Sequence, residues 1–431
     1  MTRLTIIALG SRGDVQPFVA LGLGLEAAGY KVTIAAAADY AELVGEYGLA
    51  FHSLVGRISA LVDAAMVEQF LAGAQNPLRA GRNFMRQVNP IIGQLMHDCW
   101  AACQGADGLI VSTLGMYCGV HVAERLGIQC IAAHLHPDST TSSGPHMFFP
   151  RLPRGVPFRN GYNQSTHALA NHGLWQLLRR PFNRSRQAAL GLRPLGPLAL
   201  WKRMRVYTPP TVYGYSALVA PPADRRADER ITGYWFLDRA PRWKPPAELA
   251  AFLSRGPAPI YIGFGSIMFG RDGDRMTALI VDALEKAGQR GILYRGWGEL
   301  GRVRLPPTIL TVGSAPHDWL FPQVRAVVHH GGAGVTAQAL RAGVPAIVAP
   351  FLGDQHFWAG RVAELGAGPA PIPQAQLSSA RLAQAIASAI HSDSMRERAA
   401  EIGRRLSAER GVARAVALID TYLLRMTYAV D

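Results

Sequence analysis

Apolar and polar positions along this chain fall into blocks, and the same order of blocks occurs twice. Residues 4–9 are a largely apolar run of strand length, interrupted only by Thr5 and followed by the turn Gly10-Ser11-Arg12-Gly13-Asp14. From Gln16-Pro17 the apolar residues take helical spacing, with Phe18, Leu21, Leu25 and Ala28 on one face and Gly29 as the stop. Residues 31–35, 109–112 and 129–133 read as further strands, with a helix at 120–126. The order restarts with a strand at 260–262, a glycine turn through Ser266, a helix at 276–287 and strands at 292–294 and 309–312. A strand at 326–328, the turn His329-His330-Gly331-Gly332-Ala333-Gly334, a helix stopping at Gly343, a strand at 346–349 and the polar pair Asp354-Gln355 follow. Repeated strand–turn–helix units predict an α/β protein with two doubly wound parallel-sheet (Rossmann-like) domains facing across a cleft.

The expected boundaries follow from where the alternation fails. Residues 1–220 form the first domain, 221–257 a proline-rich and charged linker, and 258–410 the second domain. The last helix, 412–426, is amphipathic, with Val416, Ile419, Leu423 and Met426 on one face. From His134 to Pro210 prolines and aromatics are frequent, and a helix is expected at 163–179 with Leu169, Leu174, Trp175 and Leu178 on one face. This long segment either lines a site for an apolar molecule or is a surface excursion packed on the core.

At 431 residues the chain is too long for one core, and 49% hydrophobic with 17% charged residues describes a globular protein. The net charge of +14 admits nucleic acid, an anionic lipid surface or a diphosphate as partner. The arginines (Arg179, Arg180, Arg184, Arg186, Arg193, Arg203 and Arg205 among them) read as dispersed and no nucleic-acid motif accompanies them, which leaves a diphosphate ligand or weak attraction to anionic lipid, with at most peripheral contact with a membrane. Cys99, Cys103, Cys118 and Cys130 lack paired CxxC spacing, as expected of reduced, buried thiols in a cytoplasmic protein. The apolar run 4–9 is too short for a signal segment, and no run is long enough to span a bilayer. No metal is expected: His134 and His136 are close in sequence but lack carboxylate or thiolate partners.

The chemistry concentrates between Ser314 and Gly368. Glycines between a strand end and a helix start bring backbone N–H groups close to an anion, and the helix dipole favours negative charge there. His329 adds a side-chain donor, and Asp354-Gln355 supplies the acceptors and donors suited to sugar hydroxyls. A diphosphate next to hydroxyls describes a nucleotide sugar.

Pro316-His317-Asp318-Trp319-Leu320-Phe321, His329 to Gly334 and Gly353-Asp354-Gln355, in that order, resemble the donor signature of the GT-B glycosyltransferases of the UDP-glycosyltransferase superfamily. The sterol 3β-glucosyltransferase branch resembles it most, with a related bacterial branch that glycosylates natural products. Gly13-Asp14-Val15-Gln16-Pro17-Phe18, Thr232-Gly233-Tyr234-Trp235-Phe236-Leu237 and Gly263-Phe264-Gly265-Ser266 extend the resemblance over nearly the whole chain.

The resemblance implies an inverting transferase that takes a sugar from a UDP-sugar co-substrate without metal or prosthetic group. It assigns Asp14 as the base that deprotonates the acceptor hydroxyl, against the simpler reading of a helix cap. It assigns His329, with the backbone of Gly331, Gly332, Ala333, Gly334 and Val335, to the donor phosphates. Ser11 and Ser266 are further donor contacts. Asp354 and Gln355 hold the sugar, unless Asp354 only caps the next helix. Ser314 stands where plant relatives stack a tryptophan on the base, which leaves Trp297 or the backbone around Ala315 for that task. His134, His136, Phe148 and Phe149 are the candidate acceptor contacts. The last helix is expected to return to the first domain. Alternative readings are a natural-product transferase using a TDP-deoxysugar, a nucleotide-sugar epimerase, or a nucleotide-sugar binding protein without turnover.

Overall fold

The computed structural model describes residues 1–55, 77–128, 130–137, 149, 152–153, 155–200, 211–222, 229–240, 242–264, 273–295, 303–351 and 354–427. The chain divides into two compact units, residues 1–237 with 410–431, and residues 238–409.

The first unit is built on seven parallel strands: β1 (Arg3–Ile7), β2 (Lys31–Ala37), β3 (Ala50–Leu54), β4 (Gly108–Val111), β5 (Cys130–His134), β6 (Thr211–Tyr213) and β7 (Glu229–Ile231). Their order is β3-β2-β1-β4-β5-β6-β7, so the sheet reverses direction between β1 and β4. The helices are α1 (Arg12–Ala27), α2 (Ala41–Glu46), α3 (Pro77–Ala102), α4 (Met116–Leu126) and α5 (Arg159–Leu190). The central strands are apolar without alternation because both faces are covered. One face packs Phe18, Leu21 and Leu25 of α1 with Trp235; the other packs Met96 and Cys99 of α3, Cys118 of α4, and Trp175 and Phe182 of α5. All four cysteines are buried and unbridged, and burial, with the neighbouring Cys118, pushes the Cys103 thiol up to about 12.

The second unit carries five parallel strands: β8 (Ile260–Gly263), β9 (Gly291–Tyr294), β10 (Ile309–Val312), β11 (Ala326–His329) and β12 (Ala346–Val348). The order β10-β9-β8-β11-β12 puts its reversal between β8 and β11. Its helices are α6 (Ala247–Ser254), α7 (Gly273–Lys286), α8 (His317–Leu320), α9 (Ala333–Ala342), α10 (Gln355–Glu364), α11 (Ser379–His391) and α12 (Asp393–Ser407). The final helix, α13 (Gly411–Thr427), packs on α1 of the first unit, where a Cβ on Gly24 would lie 2.4 Å from Val412 Cγ1. Tyr30 donates its hydroxyl to Asp420 there, and burial together with that carboxylate pushes the phenol up to about 12. Among the described residues no helix is long and apolar enough to cross a membrane.

Three expectations differ from what is observed. Helix α1 starts at Arg12, one turn before Gln16, because Ser11 and Asp14 close its N-terminus; Pro17 is then inside the helix rather than at its start. Residues 221–257 are not a bare linker: β7 and the strip to Leu237 belong to the first unit, and α6 lies in the second. Proline and charge conceal these elements, but Trp235 is buried, donates to Thr232 Oγ1 at 2.9 Å and meets Phe18 edge-on at 5.7 Å. Helix α5 runs 32 residues, well past both expected ends, and buries Trp175 and Leu178 while Leu169 and Leu174 face outward.

Candidate active site

Each sheet reversal gathers polar groups at the carboxyl ends of its strands. In the second unit His329 ends β11, flanked by Gly263 of β8 and Val348 of β12, and is fully buried. The chain then turns through Gly331 at φ 94°, a backbone region open to glycine, and the Gly331 N–H donates to His329 Nδ1 at 3.0 Å. An imidazole that accepts at Nδ1 carries its proton on Nε2, and this buried Nε2 has no hydrogen-bond partner among the described residues. Burial holds the imidazole well below its ordinary value, helped by His330 and His317, so it is a neutral donor at neutral pH. Gly332 caps α9, whose ladder opens with Thr336 N–H donating to Gly332 O at 3.0 Å. The amides of Ala333, Gly334 and Val335 therefore precede the ladder, at the positive end of the helix.

The turn touches the other half of the signature. A Cβ on Gly331 would lie 2.9 Å from the Gln355 carbonyl oxygen and 2.9 Å from Val348 Cγ1. Asp354 opens α10 with its backbone carbonyl, which accepts from Phe357 N–H at 2.9 Å, but its side chain makes no cap bond. The carboxylate instead accepts from Trp358 Nε1 at 3.1 Å, one turn along the helix. Burial lowers the His330 imidazole, and the Asp354 charge and the Gly263 backbone oppose that shift, so Asp354 and His330 sense one another. Gln355 is buried, and its Oε1 accepts from Phe351 N–H at 2.8 Å. Ser314 is exposed and Ala315 half-buried, between β10 and α8. Ser266 and Trp297 lie outside the described residues.

The lowered imidazoles have a consequence for stability. Between their folded values and the ordinary 6.5 the unfolded chain binds protons that the folded chain does not, so stability rises with pH in that window. The urea midpoint of the second unit is expected to fall as pH drops from 7.5 through 6.5 to 5.5, and to fall less in His329→Gln. A midpoint equal at both ends of this range would contradict neutral burial.

In the first unit Asp14 sits in the first turn of α1. Its Oδ2 accepts from Ser11 N–H at 2.7 Å and from Ser11 Oγ at 2.9 Å, while Asp14 N–H donates to the Ser11 carbonyl at 2.9 Å. Gly10, at φ 136°, makes room: a Cβ there would stand 2.4 Å from Asp14 Oδ2. Asp14 also lies near Tyr40, whose phenol is pushed up to about 12 by burial and then by this charge. Across the reversal Ser112 Oγ accepts from Leu9 N–H and Gly115 N–H, both at 3.1 Å, which ties the end of β1 to that of β4. Thr113 Oγ1 meets His134 Nδ1 at 2.7 Å, and the His134 ring packs on Tyr213 at 5.5 Å. His134 is buried, His136 and Phe149 are half-buried, and Phe148 lies outside the described residues.

The structure thus brings Ser11 to Asp14, and His329 and the glycine turn to Asp354 and Gln355. Thr113 and Trp358 are not among the candidate site residues of the sequence, and Gly10 enters there only as part of the turn. For Trp358 the signal was present, since Asp354 and Trp358 have the i,i+4 spacing of facing helix residues. Among the described residues no three His, Cys, Asp or Glu side chains are grouped to hold a metal ion.

Comparison with known proteins follows the same division. Residues 4–145 match the glycosyltransferase family 28 N-terminal domain, and residues 298–416 match the erythromycin biosynthesis protein CIII-like C-terminal domain. The chain is 38% identical over 441 residues to a sterol 3-beta-glucosyltransferase of Pichia angusta, covering 99% of this chain and 34% of that protein. It is 36% identical over 437 residues to one of Candida albicans, covering 97% of this chain and 28% of the relative. The chain therefore spans about a third of the length of these relatives. Among solved structures, the glycosyltransferase SnogD from Streptomyces nogalater superposes with a TM-score of 0.68 at 18% identity, covering 98% and 100% of the two chains. The glycosyltransferase VinC in complex with DTDP gives 0.64 at 19% identity, covering 99% and 100%. At these identities the likeness is one of fold.

Proposed function

We propose that this chain, which belongs to the GT-B glycosyltransferases, moves glucose from UDP-glucose to a hydroxyl of a hydrophobic acceptor such as a sterol, triterpenoid or lipid. The second unit binds the donor and the first binds the acceptor. Asp14 accepts the hydroxyl proton as the acceptor oxygen attacks the anomeric carbon. The bond from that carbon to the diphosphate breaks, the configuration inverts, and UDP leaves with the bonding pair. The His329 Nε2–H, the amides of Ala333 to Val335 and the positive end of α9 stabilise the charge growing on the diphosphate. Asp354, steadied by Trp358, takes the sugar hydroxyls. Any contact with a bilayer that supplies the acceptor is peripheral.

The observation that carries this reading is the buried His329, held in its Nε2–H form by Gly331 and without an acceptor for that proton among the described residues. Such an orphaned donor is costly unless a ligand satisfies it. His329→Ala is expected to lower kcat/KM by about 1.5–3 kcal/mol, or roughly 10- to 150-fold. UDP binding should persist from pH 6.5 to 8.5, since a neutral donor does not lose its proton there. Unchanged kcat/KM, or affinity that collapses as pH rises through about 6.5, would count against the assignment.

A second reading keeps the fold and changes the donor to a TDP-deoxysugar with a macrolide, polyketide or glycopeptide acceptor. The match of residues 298–416 to the erythromycin CIII-like domain favours it. Purified protein with UDP- and TDP-sugars and a panel of sterols, polyketides and phenols, read by mass spectrometry, decides between them. A sterol glucoside from UDP-glucose supports the first reading. Donor isomerised without acceptor indicates an epimerase, and binding without turnover a nucleotide-sugar binding protein.

A further inference from the structure

We propose that the exposed face of α5, with Leu198 in the segment that follows it, docks the first unit onto an anionic phospholipid surface. The proposal goes beyond the transfer reaction and does not require it. A bilayer is where an apolar acceptor of that class resides, but the surface rests on residues outside both polar sites.

Charge is the first observation. Between residues 139 and 223 the chain has eleven arginines and lysines and no aspartate or glutamate, whereas the remainder carries 33 basic against 30 acidic residues. Most of the net charge of +14 therefore belongs to this one stretch, so the arginines expected to be dispersed are in fact concentrated in it. Of its cations, Arg186 is buried and paired with Glu124, while Arg180, Arg184 and Arg193 are exposed.

The second observation is where apolar side chains face water. Helix α5 is about 48 Å long at ~1.5 Å per residue. Its C-terminal half turns Trp175, Leu178, Phe182 and Arg186 inward. On the outer side Leu169, Gly173, Leu177, Arg180 and Arg184 follow one another at helical spacing, all of them exposed. Leu169 is 61% exposed and Leu177 41%. The segment after the helix is held alongside by Trp175 Nε1 donating to Gly196 O at 3.3 Å and Gln176 Nε2 donating to Pro197 O at 3.0 Å. Leu198, 71% exposed, follows Pro197 in this segment.

The third observation is strain. Phe158, at the N-terminal end of α5, is the one non-glycine residue with positive φ among the described residues, at 61°, and is 91% exposed. A bulky side chain held outward in the left-handed region is unusual and directs attention to function.

Leucines followed by arginines along one helix, in a stretch of sequence without aspartate or glutamate, are the composition of an interfacial helix. Apolar insertion and charge attraction are each weak alone and bind a membrane together. A single-stranded nucleic acid would call for aromatic rings interleaved with the cations, and this face offers aliphatic ones.

The test is co-sedimentation of the full chain with vesicles of phosphatidylcholine alone or with about a third phosphatidylglycerol. Binding is expected to the anionic vesicles only, with at least about a tenfold loss of affinity as salt rises from about 50 to 500 mM. The pairs Leu169→Ser with Leu177→Ser, and Arg180→Glu with Arg184→Glu, should each lower affinity about tenfold or more. The same charge change on the second unit, Arg275→Glu with Arg404→Glu, should leave binding within about twofold. Failure of the wild-type chain to bind anionic vesicles overturns the proposal. So does an equal loss in the control pair, or tighter binding to an RNA oligonucleotide than to vesicles. No substrate is present in this assay, so absence of sugar transfer with vesicle binding intact refutes the reaction and leaves the docking face standing.

Discussion

Asp14→Asn is expected to lower kcat by about 10²–10⁴-fold while leaving donor affinity and thermal stability nearly unchanged. An acceptor hydroxyl holds its proton far above neutral pH, so the proton must leave as the new bond forms. Asn matches Asp in size and its amide oxygen can still accept from Ser11 N–H and Oγ, the two bonds that close the start of α1. It cannot accept the hydroxyl proton. Closing the helix is thus preserved and basicity removed, which separates the two roles in one variant. Single-turnover rate, UDP affinity and melting temperature make the measurement, with Gly10 kept intact because a Cβ there would collide with the side chain under test. Turnover close to wild type in a folded Asp14→Asn protein would leave Asp14 as the closing residue of a capping box and nothing more.

The largest stability effect is expected away from both polar sites. Arg186 of α5 is buried, donates through Nη2 to Glu124 Oε1 at 2.6 Å, through Nη1 to His121 Nδ1 at 3.0 Å and through Nε to the Arg193 carbonyl at 2.7 Å. One guanidinium thus joins α4, α5 and the segment after α5. Arg186→Met should destabilise the first unit by about 3–5 kcal/mol, because Glu124 is left charged in a poorly solvated site. Adding Glu124→Gln should recover a good part of that loss, since the stranded charge and not the missing attraction dominates. Urea denaturation, with hydrogen exchange across residues 116–126 as the local readout, tests both. A single variant as stable as wild type, or a double variant worse than the single, would contradict this account.

The strands at 4–9, 31–35, 260–262 and 326–328 are legible in the sequence because a parallel strand covered on both faces reads as a mostly apolar, β-branched run, interrupted here only by Thr5, Lys31 and Thr33. The short strands β6 and β7, of which β7 is at the sheet edge, and the helix α3 are not, since three-residue strands carry little apolar pattern and these lie among prolines and charges. The early start of α1 was present as Ser11-x-x-Asp14, the spacing of a capping box, but Gly13 and Arg12 conceal helical periodicity there. At the donor side the order of strand, glycine turn and Asp354-Gln355 is readable as an anion and hydroxyl site. The tautomer of His329 is not, because it depends on which nitrogen the Gly331 amide reaches. Nor could spacing reveal that Thr113, just after β4, meets His134 at the end of the neighbouring β5, since only the folded sheet defines that register.

The return of α13 to the first unit has a consequence for how the chain comes into being. The half made first on the ribosome is finished last: α1 waits with the surface around Gly24 uncovered until Val412 and Val416 emerge. Residues 238–409 are meanwhile a continuous stretch, free to fold as they are made. During that interval the nascent first unit is an incomplete body whose open apolar seam has one intended occupant, still inside the exit tunnel.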